Sequence, residues 1–163
     1  AAHGYKSLAM HAPGDNFPVY DDIRKYVINK GLGAGDGSNV GTVLYSRGMY
    51  AAIMAVEGAK SAQSIHGVKN ITPSMMRDGL EALEITEEKL ASVGLAGFAP
   101  TFKASCAHHG GNGAAAIQQW DAKKGTWSFI TDYMTSDSSI IDPLVLADSS
   151  QYAAENNIKE RCN

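Results

Sequence analysis

Apolar and polar residues alternate with period two at the start of the chain and pass to helical spacing soon after. Residues 4–11 read as a short strand with Tyr5, Ser7, Ala9 and His11 on one face. Residues 12–16, Ala-Pro-Gly-Asp-Asn, break that strand, and Asp15 or Asn16 is expected to cap a helix that carries Pro18 in its first turn. Val19, Ile23 and Val27 share one face of this helix, while Asp21, Asp22, Arg24 and Lys25 share the other, and Gly31 is a plausible stop. The longest helical stretch is predicted over residues 42–64. There Tyr45, Met49, Ala52, Ile53, Val56 and Ala59 form an apolar stripe, with Glu57 and Lys60 placed to pair outside it. Ala51, Ala52, Ala55, Gly58 and Ala59 are small enough for this helix to lie close to a neighbour.

Thr72-Pro73 is expected to open a third helix, with Met76, Leu80 and Leu83 inward and Arg77, Asp78, Glu81 and Glu84 outward. Residues 86–90 add a short helical turn that Gly94 ends. Period two then returns in residues 101–106, 116–120 and 126–130. The last two, joined by Asp121-Ala-Lys-Lys-Gly125, predict a β-hairpin with Trp120 and Trp127 beside its turn. Cross-strand packing is the commoner use of such a tryptophan pair, and stacking on a ligand is the rarer one. A final helix is predicted over roughly residues 148–158. Helices therefore dominate up to about residue 94 and strands follow. A helical half with one strand has no sheet to cover, so its partner strands are expected in sequence outside this chain.

Composition narrows the function. Of 163 residues, 44% are apolar and 19% charged, which suits a globular fold with a packed core. Fourteen Lys and Arg stand against 17 Asp and Glu, a balance that argues against sequence-independent nucleic-acid binding. No apolar run approaches the roughly 18 residues a membrane-spanning helix needs. The opening Ala-Ala-His-Gly carries neither an initiator Met nor a signal region, as expected of a mature form or of part of something longer. Cys106 and Cys162 belong to no CxxC pair. They are either a single clasp formed in an oxidising compartment or two unrelated buried thiols.

Candidate chemistry is sparse. Cys106-Ala-His-His109 has metal-ligand residue types, but adjacent histidines on an extended backbone point to opposite faces, so a polar turn into Gly110-Gly111 is the better reading and no metal is expected. The glycines of residues 31–38 follow a helix and lack the spacing of a phosphate-binding loop, which leaves a surface loop. The pairs Asp21-Asp22 and Glu87-Glu88 sit near helix N-termini, where they complement the dipole. His3, His11 and His66 have no recurring partner in sequence, and no GxSxG elbow is present. The six methionines are scattered and read as core filler.

From Gly4 to Met134 the chain resembles the carboxy-terminal portion of type I periplasmic solute-binding proteins, in particular the branched-chain amino acid group served by ABC importers. The resemblance rests on an ordered set of segments: Gly4-Tyr-Lys with His11-Ala-Pro-Gly14, Tyr45-Ser-Arg-Gly-Met-Tyr-Ala-Ala52 running on to Ala62, Met76-Arg-Asp-Gly-Leu-Glu-Ala-Leu83, Ser105-Cys-Ala-His-His-Gly-Gly111, and Ile117-Gln-Gln-Trp-Asp121 with Trp127. It implies an α/β fold: the carboxy-terminal part of a two-lobe type I periplasmic-binding-protein fold with Rossmann-like lobes and a β-hairpin near the C-terminus. Residues 1–98 would complete lobe I and residues 99–163 would return to lobe II.

The same resemblance implies a function. The chain would belong to the extracytoplasmic substrate-binding component of an ABC transporter, holding an amino acid of branched-chain type or a similar small carboxylate in a cleft between lobes. It implies no covalent chemistry and no cofactor. Its partners would be the solute, an ABC permease in the membrane and the amino-terminal portion of the same receptor, but not nucleic acid. Its location would be periplasmic, or extracytoplasmic as a membrane-associated lipoprotein. Tyr45 matches an aromatic position that contacts the ligand side chain in the family, with plain core packing as its alternative. Arg47 is placed to meet a carboxylate, with a surface ion pair as its alternative. In an oxidised compartment Cys106 and Cys162 are expected to form a disulfide that ties the tail back onto the hairpin. Two readings of other classes remain: a small α/β enzyme using His108, His109 or the Asp-rich helix, and an interaction fragment without a ligand.

Overall fold

A computed structural model describes residues 2–111, 113–159 and 161–162. The elements are β1 (Lys6–Ala9), α1 (Pro18–Tyr26), α2 (Val43–His66), α3 (Pro73–Glu81), β2 (Glu84–Ile85), α4 (Glu87–Ser92), β3 (Phe102–Lys103), β4 (Ala116–Asp121), β5 (Thr126–Phe129) and α5 (Ser138–Glu155), with a single 3-10 turn over Ile28–Lys30. This is a mixed α/β arrangement with two small antiparallel sheets. One has the order β1-β4-β5, and the other pairs β2 with β3. Each sheet joins a strand from before residue 98 to one from after it.

Local chemistry explains most of the helices. Thr72 and Thr86 cap α3 and α4, their hydroxyls accepting from the backbone N–H of Met75 and Lys89. Gly67 closes α2 in the left-handed conformation at φ 64°, which suits a residue without Cβ. The cap of α1 differs from expectation. Phe17 occupies the N-cap and has no side-chain oxygen to offer, while Asp15 is drawn instead to Arg24 at 2.6 Å. Pro18 at the first position supplies the preset φ that starts the helix. Glu57 pairs with Lys60 as the spacing implied, at 2.7 Å, and also with Lys89 of α4 at 2.8 Å.

Three elements depart from the sequence pattern. Glu84 is not on a helical face: α3 ends at Glu81, and Glu84–Ile85 pair in register with Lys103 and Phe102. The strand expected over residues 101–106 is only two residues long, because its partner is equally short and residues 105–108 fold into a turn. α5 begins at Ser138, ten residues before the predicted start. Asp137 caps it by accepting from Ser139 N–H at 3.0 Å, and Pro143 is accommodated inside it.

The core gathers Leu83, Ile85, Leu90, Leu95, Phe98, Ala99 and Ala104 under α2, with Met49, Tyr50, Ile53 and Met54 of that helix packed against it. Phe98 is its centre. The His11 ring stacks on it at 4.8 Å, and Phe17 and Tyr50 meet it edge-on at 5.2 and 5.7 Å. Its carbonyl accepts from Ala12 N–H at 2.6 Å and from the Tyr133 hydroxyl at 2.8 Å. In the larger sheet Trp120 lies directly opposite Trp127, the ring centroids 5.4 Å apart, so the tryptophans pack on each other across the hairpin.

α2 and α3 approach through small residues. A Cβ built on Gly79 would lie 2.2 Å from the Gly58 carbonyl oxygen and 2.6 Å from Ala62 N, contacts with backbone that no side-chain shift relieves. At Gly48, in the first half of α2, the same construction meets nothing within 4 Å. Gly79→Ala is therefore expected to destabilise the fold by about 3 kcal/mol through forced helix separation. Gly48→Ala should stabilise it by about 0.5–1 kcal/mol through helix propensity. Urea unfolding of the two variants beside the parent checks both signs.

Candidate functional site

Two concavities flank the amino-terminal half of α2. The first, of about 400 Å³, lies where α2 meets the end of β1, the segment 99–102 and the turn leading into β4. Met10, His11, Arg47, Tyr50, Ala51, Met54, Pro100 and Phe102 are among its walls. The second, of about 610 Å³ and more open, runs between α1 and α2 and is lined by Val19, Ile23, Tyr45, Met49, Ile53 and Val56. Tyr45 and Arg47 therefore face different spaces. Two positions along a helix are about 200° apart, so α2 presents one residue to each side.

Arg47 is exposed, and its guanidinium has no hydrogen-bond or ion-pair partner among the described residues. Tyr45 is half-buried near the Tyr20–Ser46 pair, whose hydroxyls are 2.7 Å apart in the interior. Two polar residues of the first cavity's wall carried no strong signal in sequence. His11 is buried; its Nδ1 lies 3.0 Å from the Ala12 carbonyl, which can only accept, so Nδ1 carries the proton. Nε2 is closed from solvent and without a partner among the described residues. Tyr50 is half-buried, and burial pushes its phenol above the ordinary tyrosine range. Tyr133, beyond Phe98, is pushed up to about 12 for the same reason, so both phenols stay protonated at neutral pH. The alternation of β1 was the clue to His11, since it continues the face on which Ala9 is buried. Met10 and Met54 line this cavity, and Met10 is largely exposed, so these methionines are wall residues as well as filler.

Cys106 and Cys162 form a disulfide, with Cα atoms 5.5 Å apart. The bridge does not reach the hairpin, as the resemblance implied. It fastens the tail beside the end of α3, where Glu81 accepts from Arg161 and lies 3.2 Å from His109 Nε2. Cys106 thus has no free thiolate to give a metal, and Ser105 and His108 exchange backbone hydrogen bonds in a turn. Among the described residues no group of three His, Cys, Asp or Glu side chains converges on a metal-sized space.

Comparison with known proteins follows the fold. No family model and no curated protein matches the chain. A solved structure described as an ABC transporter permease from the Pseudomonas fluorescens group matches 99% of it, with a TM-score of 0.88 and 30% identity. A second, a branched-chain amino acid ABC transporter from Thermus thermophilus with bound valine, matches 83% with a TM-score of 0.58 and 23% identity. The chain spans 39% of the first structure and 34% of the second. Its fold is thus that of part of two larger ABC-transporter components.

The Glu81 cluster sets a pH dependence. Arg161 first, and then His109, hold the Glu81 carboxyl below its ordinary value of 4.5. The stability it adds is fully present above that value and is lost as pH falls through the lower, folded-state value. Glu81→Gln should be less stable than the parent at pH 7, and the difference should shrink as the pH is taken progressively below 4.5. Cys162→Ser should cost up to about 4 kcal/mol on the chain-entropy estimate for a closed loop of this length. Because it also frees Arg161, it should shrink the Glu81→Gln effect. Urea midpoints of the single and double variants at pH 7 and below pH 4.5 test this coupling.

Proposed function

We propose that this chain is the carboxy-terminal part of the extracytoplasmic solute-binding component of an ABC importer. It would hold an amino acid of branched-chain type or a similar small carboxylate and deliver it to a permease without chemical change. The observation that carries this reading is the fold shared with the valine-bound transporter structure over most of the chain. A second observation supports it: an apolar cavity of about 400 Å³, within the size range of small-molecule sites, with a guanidinium at its wall that has no ion-pair partner among the described residues. Among the described residues no helix is long and apolar enough to cross a membrane, so a solute-binding role suits them better than the role of a pore. The disulfide is consistent with an oxidising, extracytoplasmic location, periplasmic in a bacterium with two membranes.

In this reading residues 1–98 complete one lobe and residues 99–163 return to the other, while the amino-terminal portion of the receptor covers the open face between α1 and α2. The exposed surface supports that covering. It amounts to 10982 Å², where a compact domain of this length exposes about 7,800 Å². On α5, Ile140, Ile141, Leu144, Val145, Leu146 and Tyr152 are 42% to 67% exposed. Arg47, at the wall of the cavity of about 400 Å³, would meet the carboxylate, whereas Tyr45 lines the groove on the other side of α2 and would be covered by that portion.

The test is calorimetric titration of the full polypeptide that carries this chain with amino acids and simple carboxylic acids, followed by mass analysis of the recovered solute. One solute bound per chain and recovered unchanged is the expected result. Failure of every amino acid and carboxylate to bind would refute the reading, and so would recovery of an altered solute, which would favour an enzyme.

A further inference from the structure

Two of the walls that this chain gives the junction cavity belong to different parts of the fold. Ala99, Pro100, Thr101 and Phe102 form one of them and continue directly from Phe98, at the centre of the core under α2. Ala114 and Ala115 form the other and lead into β4 of the three-stranded sheet. Past β5 the chain returns along this second wall. Ala115 and Met134 exchange two backbone hydrogen bonds at 2.9 and 2.8 Å, and Phe129 meets Tyr133 edge-on at 5.4 Å. Tyr133 is thus fixed to the sheet. Its hydroxyl leaves the sheet and donates to the Phe98 carbonyl at 2.8 Å.

This bond has the character of a spacer more than of a contact that holds the fold together. The Phe98 carbonyl has two lone pairs; Ala12 N–H uses one at 2.6 Å and the Tyr133 hydroxyl the other. Removing the hydroxyl leaves the carbonyl its backbone partner, so no buried acceptor is orphaned and the core keeps its packing. What is lost is the tie between the two walls. Burial pushes the Tyr133 phenol up to about 12, so it remains a donor at neutral pH. Neither Phe98 nor Tyr133 is among the described residues that line the cavity, so the bond can act on a solute only through the walls it joins. We propose that Tyr133 is a positioning residue for the solute site, its hydroxyl tying the residue before one wall to the chain behind the other and so holding the two at the spacing that binds. The inference rests on the solute-binding reading above. Walls that reach this spacing for only part of the time weaken the apparent affinity by that fraction.

The test is Tyr133→Phe in the full polypeptide that carries this chain, a change that keeps the ring against Phe129 and removes only the hydroxyl. Valine, leucine, isoleucine and 4-methylpentanoate are titrated calorimetrically into parent and variant. Those that bind the parent are expected to bind the variant roughly three- to tenfold more weakly. Hydrogen exchange resolved by peptide is expected to quicken over residues 10–13, 99–103 and 113–116, but not over residues 87–95, where Leu90 and Leu95 are buried. Thr86→Val removes the cap of α4 and lines neither concavity, so it controls for lost stability: it should unfold at a lower temperature and bind as the parent does. Unchanged or tighter binding by Tyr133→Phe would overturn the inference and leave the solute-binding reading intact. Exchange that is unaltered at the walls, or that quickens equally over residues 87–95, would do the same, as would equal weakening by Thr86→Val. If the parent binds another member of the wider amino acid and carboxylate panel instead, the comparison is made with that solute. A parent that binds none of them removes the reading and the inference together.

Discussion

Phe98 is the point at which otherwise separate pieces of this chain meet. Its ring takes His11 on one face and Phe17 and Tyr50 at its edges, and its carbonyl takes Ala12 N–H and the Tyr133 hydroxyl. Those five partners come from the end of β1, the entry to α1, the middle of α2 and the segment after β5. Burying one phenylalanine ring contributes about 1.5–3 kcal/mol, and the two hydrogen bonds to a buried carbonyl add directionality that apolar packing lacks. The junction cavity depends on this knot, because His11 and Tyr50 are simultaneously partners of Phe98 and walls of the cavity. A shift of Phe98 would move the end of β1 relative to α2 and change the shape of the space between them.

The same knot shows how unevenly the chain is packed. Ile85, Leu95 and Phe98 are fully buried, whereas the apolar stripe of α2 that contains Val56 opens onto the groove with α1 and most of α5 is exposed. An isolated helix of mixed composition is marginal in water, so α5 needs more than its own hydrogen bonds. The disulfide and the Arg161–Glu81 pair hold the tail beyond it near α3, but neither covers its side chains. Apolar surface in such amounts is unusual for a protein that stands alone, which is what the proposed covering by further polypeptide draws on.

What could be read from the sequence was what is decided locally. α2, the threonine caps of α3 and α4 and the hairpin follow from periodicity and turn chemistry within a few residues of each position. The disulfide needed the additional premise of an oxidising compartment. β2 and β3 were obscured because a two-residue strand carries no period, and their pairing links residues about twenty positions apart. The early start of α5 was hidden by Pro143 and by apolar residues on all its faces, which leave no stripe to detect. His11 against Phe98, a contact across 87 positions, lay beyond any local rule, although the alternation of β1 placed His11 on one face with Ala9.

The separation of Tyr45 from Arg47 is the more instructive difference, because helix geometry alone dictates it. A spacing of two along α2 turns the side chains to nearly opposite directions, so one small site cannot use both unless ligand or protein surrounds the helix end. Tyr45 looks toward the apolar groove with α1, where burial and partner contact are the natural outcomes. Arg47 looks toward the cavity beside His11, where a charge without a partner has no structural use among the described residues. In the proposed reading that exposed guanidinium would let a hydrophobic hollow discriminate by charge, and the geometry of a single helix turn keeps it apart from the groove that Tyr45 lines.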